Sequence, residues 1–135
     1  TVQPLKQSVK PIYAESEVIT GASTIPSTLS RAVITGMLKN EMKFNGLVVT
    51  DAMDMSGLTL YFNQDEAAVR AIEAGADLLV KPASADQAIR GLREALKSGR
   101  LTEARIDESV RKQLARKYEL GLERQKITPL EQIDT

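Results

Sequence analysis

Asp51 stands directly behind Leu47-Val48-Val49-Thr50, a short apolar and β-branched run, and ahead of Ala52-Met53-Asp54-Met55-Ser56-Gly57. A carboxylate so placed is held rigidly by a strand while the next loop shapes its surroundings, at the point where the working residues of parallel α/β folds sit. The simpler use of such an acid is to cap a turn or the following helix. A second run, Asp77-Leu78-Leu79-Val80, ends on Lys81-Pro82 and puts an ammonium at the corresponding point. The sequence has no Cys and no His, which removes disulfides, thiolate and imidazole metal ligands, a cysteine nucleophile and any Ser-His-Asp triad. Chemistry here must run on carboxylates, Lys, Arg, Tyr or hydroxyls, with no metal and no organic cofactor implied.

The elements that must position Asp51 follow from spacing. Leu47 and Asp77, the first residues of the two runs, are thirty positions apart, with Ala67, Ala68, Ala71 and Ile72 marking a helix between them that Gly75 ends. This is the layout of a right-handed βαβ crossover and predicts an α/β fold with two parallel neighbouring strands, buried because both faces are apolar. In such folds the working residues collect where the strands end, at the position of Asp51. Upstream, Val33, Ile34, Met37, Leu38 and Met42 fall at helical spacing behind a Ser30 cap, predicting a helix of about three turns. Lys43-Phe44-Asn45-Gly46 breaks it, with Gly46 free to turn left-handed. Ser84 and Gln87 have the form of a capping box before a long helix marked by Ala85, Ala88, Ile89, Leu92, Ala95 and Leu96 and stopped at Gly99. Asp107 is expected to cap a last helix with Val110, Leu114 and Tyr118 as its buried line and Gly121 as its end. Residues 1–25 read as irregular, with one extended run at Pro11 to Ala14, and residues 123–135 as a polar tail or linker.

Composition bounds the rest. At 135 residues, 42% apolar and 27% charged, the chain has room for one modest packed domain. Eighteen Lys plus Arg against eighteen Asp plus Glu leave no net charge, so no broad field draws nucleic acid or anionic lipid, and neither is an expected partner. No stretch approaches the run of about eighteen apolar residues that a membrane helix needs, so no membrane span is expected. Arg105, Arg111, Lys112, Arg116 and Lys117 read as a solvated basic face, Asp54 as a capping or exposed loop acid, and Asp77 as a structural acid where a strand opens. Lys81 reads as a strand-stop lysine at a solvated rim. Met37, Met42 and Met53 read as core fillers, with Met55 the methionine able to line a pocket.

Two families share the strand-end acid. The segment Asp51-Ala52-Met53-Asp54-Met55-Ser56-Gly57 resembles the phosphoacceptor loop of two-component receiver domains, and Ala74-Gly75-Ala76-Asp77-Leu78-Leu79-Val80-Lys81-Pro82 resembles their lysine segment. A receiver, however, needs a further strand and helix between acid and lysine, and the thirty positions from Asp51 to Lys81 hold one crossover only. The second resemblance runs over residues 26–122 and is to family 3 glycoside hydrolases, in particular their β-N-acetylhexosaminidase branch. Pro26-Ser27-Thr28-Leu29-Ser30 resembles the family's Pro-Ala-Thr-Leu-Ser, and Phe44 to Met55 its nucleophile strand. Ala71 to Leu79 follows, then Arg105-Ile106-Asp107-Glu108-Ser109-Val110-Arg111 with Lys117 and Leu120-Gly121-Leu122, in family order. A β-glucosidase of the same family usually carries an aromatic soon after the nucleophile, so Ala52-Met53-Asp54-Met55 favours the hexosaminidase branch.

The resemblance implies a TIM-type (β/α)8 barrel, of which this chain would hold the last two β/α units. It implies Asp51 as the nucleophile of a retaining glycosidase, Met55 as a substrate-lining residue, and a terminal β-linked N-acetylhexosamine as substrate. The general acid/base of that branch, a His-Asp pair on an upstream loop, and its Lys-His and Arg substrate contacts would lie in the rest of the barrel, upstream of Thr1. The chain alone is therefore expected to be inactive.

Overall fold

The computed structural model describes residues 25–124, together with the backbone pairing of Val18–Ile19 (β1) with Ser23–Thr24 (β2). That antiparallel pair lies in a stretch the sequence marks as irregular; the extended run expected at Pro11 to Ala14 and most of the polar tail lie outside the described residues. A single 3-10 turn at Ser27–Leu29 leads into the helix expected behind Ser30. It spans Ala32–Glu41 and is wound as a π-helix, closed for example by Met42 N–H on the Met37 carbonyl at 2.9 Å. Ser30 caps it as expected, its Oγ accepting from Val33 N–H at 3.4 Å. Ile34 and Leu38 face the core, whereas Met42 is 67% exposed and Met37 also faces outward, so neither methionine is a core filler. The left-handed residue after this helix is Lys43 at φ +58°, not Gly46. A Cβ at Gly46 would stand 2.6 Å from the tip of the Phe44 ring, an exposed side chain that would have to move aside.

Strand β3, Val49–Ala52, and strand β4, Leu78–Val80, form the expected parallel pair, with Val49 opposite Leu78 and Ala52 opposite Val80. β3 begins two residues into the apolar run, and Val48 just ahead of it accepts at its carbonyl from Asp77 and Leu78 N–H. The strands are not buried on both faces: Val48 and Thr50 are buried, but Val49 is 49% exposed and all of β4 is half-buried. Between them lie a short helix α1, Ser56–Thr59, in the segment expected as loop, and α2, Gln64–Ala74. Gly75 ends α2 at φ +119°, and a Cβ there would also meet Thr35 Oγ1 at 2.8 Å, so both conformation and packing require glycine.

Helix α3, Ala85–Lys97, is capped by Ser84 as the sequence predicts, with Oγ accepting from Gln87 N–H at 3.3 Å, and packs on α2 through Ala88, Gly91 and Ala95. Ile89, expected in the buried stripe, is exposed. Helix α4 runs over Glu103–Glu119 and is capped by Thr102, one turn earlier than Asp107. Apart from Ile106, which packs on the core, its inward face is polar. Val110, Leu114 and Tyr118, expected as the buried line, are exposed, Tyr118 to 66%. One core cluster joins Ile25, Leu29, Val48, Met53, Leu58, Ala67, Ala71 and Ala76, and a second joins Val69, Ile72, Ala95 and Leu101; Leu79 packs against both.

Candidate active site

Asp51 is the third residue of β3, its side chain exposed and its Oδ1 accepting from Ala52 N–H at 2.7 Å. That local bond fixes the carboxylate against its own strand. It opens onto a cavity of about 230 Å³ whose walls come from two segments far apart in sequence: Pro26 and Thr28 on one side, and Asp51, Ala52, Met53, Met55, Gly57 and Leu58 on the other. The chain thus brings Pro26 and Thr28 and the strand that carries Asp51 to one hollow. Met55, exposed at the start of α1, lines the same cavity, whereas Met53 is buried and packs in the core.

The strand-end loops are tied together beside this cavity. Lys81 Nζ reaches Asp54 Oδ2 at 2.8 Å across the ends of β3 and β4, and this bond raises the Lys81 pKa, keeping the ammonium charged. Asp54 is therefore neither a cap nor a free loop acid. Lys81 achieves this with φ +45°, a backbone state that costs a non-glycine residue on the order of 1–3 kcal/mol. Gln64, at the start of α2 and buried, donates from Nε2 to the Met53 carbonyl at 3.2 Å and accepts at Oε1 from Ala83 N–H at 2.9 Å. Met53 N–H in turn donates to the Val80 carbonyl at 2.9 Å. Nothing in the spacing around Gln64 singles it out; only the fold shows both ends of its amide in use.

Asp77 is placed apart from this hollow, at the opposite end of the strands. It is 2% exposed and accepts from Val48 N–H at 3.0 Å and from the Ser109 hydroxyl at 2.8 Å, with Lys112 Nζ and Arg105 Nη1 at 3.5 and 3.6 Å. Burial alone would raise its pKa, but the Val48 and Ser109 bonds and the charges of Lys39 and Lys112 outweigh burial and hold it below the usual carboxylate value. Arg105 also donates to the Ile72 and Ala76 carbonyls, at 3.2 and 2.6 Å. Arg105 and Lys112 consequently do not belong to a solvated basic face; they are the inward face of α4, drawn in by a buried acid.

Larger hollows of about 420 and 510 Å³ lie along α2, α3 and the start of α4. Both include Arg100, which already binds Glu66 at 2.7 Å and Glu73 at 2.8 Å, and neither contains Asp51. Among the described residues no group of three or more Asp, Glu, His or Cys side chains has the placement of a metal site. β3 and β4 are direct neighbours with no strand between Asp51 and Lys81, which is not the order a receiver requires.

The sequence model of the "Glycosyl hydrolase family 3 N terminal domain" matches residues 7–115. The chain belongs to glycosyl hydrolase family 3. A β-N-acetylglucosaminidase/β-glucosidase of Cellulomonas fimi is 30% identical over 118 residues, 87% of this chain and 20% of that protein. A lysosomal β-glucosidase of Dictyostelium discoideum is 34% identical over 133 residues, 87% of this chain and 16% of that protein. Among solved structures, a family 3 β-N-acetylglucosaminidase from Paenibacillus sp. superposes with a TM-score of 0.73 at 38% identity, over 84% of this chain and 22% of that one. A β-glucoside phosphorylase gives 0.73 at 34% identity over 85% and 21%. This family 3 chain thus spans about a fifth of the length of the relatives it matches.

Proposed function

We propose that Asp51 is the nucleophile of a retaining family 3 glycosidase, and that this chain carries the last two β/α units of its barrel, residues 26–122. The observation that supports this most is the exposed Asp51 carboxylate at the carboxyl end of a parallel strand, opening on a cavity that the Pro26–Thr28 segment completes. In the first step a carboxylate oxygen attacks the anomeric carbon, the bond to the leaving oxygen breaks, and that oxygen takes a proton from a general acid supplied by another part of the barrel. In the second step the deprotonated acid removes a proton from water, the new hydroxide bonds to the anomeric carbon, and Asp51 leaves as a carboxylate. The partner is a carbohydrate, with no part for nucleic acid or membrane.

Terminal β-linked N-acetylhexosamine is the substrate favoured here, because Ala52, Met53 and Met55 follow the acid where a β-glucosidase would present an aromatic, and Met55 gives the cavity an apolar wall. The likeness to a β-glucosidase and a β-glucoside phosphorylase at 34% identity supports a second reading, glucoside cleavage by water or phosphate. The test uses the product of the full open reading frame. A slow 2-deoxy-2-fluoro glycosyl donor should add one glycosyl mass to the peptide carrying Asp51, and Asp51→Asn should abolish turnover of aryl N-acetylglucosaminide. Undiminished hydrolysis by Asp51→Asn would end the proposal. Faster release from aryl glucoside, or release that depends on inorganic phosphate, would select the second reading.

A further inference from the structure

Gln64 is a buried amide whose two hydrogen-bonding ends both go to loop backbone: Nε2 to the Met53 carbonyl at 3.2 Å, and Oε1 from Ala83 N–H at 2.9 Å. Met53 is two residues past Asp51, and Ala83 is two residues past Lys81, so one side chain spans the segments that follow both strands. Gln64 is itself anchored as the first residue of α2, whose Ala67, Ala68, Ala71 and Ile72 are buried in the core. The Met53 side chain is 1% exposed, so the loop is pinned at this residue by packing, by its N–H on Val80 and by its carbonyl on Gln64. Two positions to either side of this pinned residue are Asp51 and Met55, both of which line the cavity.

We propose that Gln64 is a positioning residue for the reaction: it sets the height of the Asp51–Met55 segment against the Lys81–Ala83 turn, and through it the reach of the Asp51 carboxylate. The inference rests on the reading of Asp51 as nucleophile. An amide is suited to this place because it offers one donor and one acceptor in fixed relation, which neither a carboxylate nor an ammonium does. Loss of it frees the Met53 carbonyl and the Ala83 N–H together, and a displacement of the nucleophile by about 1 Å can cost on the order of 10²-fold in rate.

The discriminating variant, made in the full-length enzyme, is Gln64→Glu. A protonated carboxyl can donate to Met53 and accept from Ala83, as the amide does; an ionised one sets negative charge against the Met53 carbonyl. Its kcat should approach that of the parent at acid pH and fall as pH rises, adding a titration the parent lacks, while the Kd of a non-hydrolysed sugar analogue stays within about threefold. Gln64→Ala should lower kcat by about tenfold to a hundredfold at every pH, and Ser109→Ala, at the opposite strand ends, controls for general destabilisation by leaving kcat unchanged. A Gln64→Glu profile that superimposes on the parent, or a Gln64→Ala kcat within twofold of it, overturns the inference. If the slow glycosyl donor labels Asp51 in parent and Gln64 variants at equal rates, Gln64 alone is misassigned; if the parent is not labelled at Asp51, the reading beneath it fails.

Discussion

The Ser109 hydroxyl donates to Oδ1 of Asp77 across 2.8 Å, and through this bond α4 is attached to the end of β4 opposite Asp51. The same carboxylate holds Val48 N–H, and Gln113 Nε2 donates to the Asp77 backbone carbonyl at 2.7 Å. A helix with a polar inward face is stable here only because every one of these groups has a partner. Removing the acid leaves Arg105, Lys112 and Val48 N–H without it, so Asp77→Ala should destabilise by about 3–5 kcal/mol. Ser109→Ala, which removes one bond, should cost about 1–3 kcal/mol. Urea midpoints of the full-length protein and both variants check the order; equal losses would mean that Asp77 acts through Ser109 alone.

Acid should loosen the same scaffold. Glu66 is held down to about 2 from 4.5, first by its bond to Arg100 and then by Arg70, and Asp77 also lies below its ordinary value of 3.8. In the folded state both carboxyls stay ionised where the unfolded chain would already bind protons, so stability rises with pH in this window. Their contribution is complete above about pH 5 and is lost as pH falls through 4 toward 2. Glu66→Gln should flatten that decline and Lys97→Gln should not. A urea midpoint that stays level from pH 5 to 2.5 in the parent would contradict the assignment. Because Glu66 is partly exposed, added salt should shrink its share more than that of buried Asp77.

Close helix packing supplies a third test. Gly91 of α3 lies so near α2 that a Cβ would stand 2.6 Å from both the Cβ and the backbone oxygen of Asp65 and 2.7 Å from its Cα. Backbone atoms cannot step aside as a flexible side-chain tip can, so Gly91→Ala must push the helices apart. The expected loss is about 1–3 kcal/mol, although alanine is the better helix former. Thermal unfolding decides the sign; a stabilised Gly91→Ala would show that the α2–α3 spacing yields freely.

Local signals made the part of this architecture nearest Asp51 legible. An apolar β-branched run before the acid, a helix closed by Gly75 and a second run to Val80 are each short-range patterns, and the parallel pairing of β3 with β4 follows from them. Misreadings arose where a long-range partner decides. Val110, Leu114 and Tyr118 have the spacing of a buried line, but α4 turns Arg105, Ser109 and Lys112 inward because Asp77 is buried beneath it. Thr102 and Asp107 are both competent caps, and the helix takes the earlier one, which lets Arg105 reach the Ile72 and Ala76 carbonyls. Gln64 carries no signature, since a glutamine is informative only once Met53 and Ala83 are known to flank it. The π-winding of Ala32–Glu41 likewise leaves no trace in a pattern of apolar residues three and four apart.

Those exposed apolar residues bear on whether the chain stands alone. Val49 on β3 and Val110, Leu114 and Tyr118 along α4 place large apolar side chains in water, Leu114 at 58% exposure. Runs of this kind mark surfaces meant to be covered. Under the barrel reading, the remaining β/α units cover them, and each such residue contributes about 1.5–3 kcal/mol in the complete fold. The 135-residue chain expressed by itself should therefore sediment as large species, bind a hydrophobic dye and release no chromophore from aryl N-acetylglucosaminide. Leu114→Lys separates the two settings. It should make the isolated chain more soluble, because a charge interrupts the apolar stripe, and should destabilise the full-length protein, because the same position is then buried. A cooperative melt with turnover from the isolated chain, or a full-length Leu114→Lys as stable as the parent, would mean that nothing covers this face.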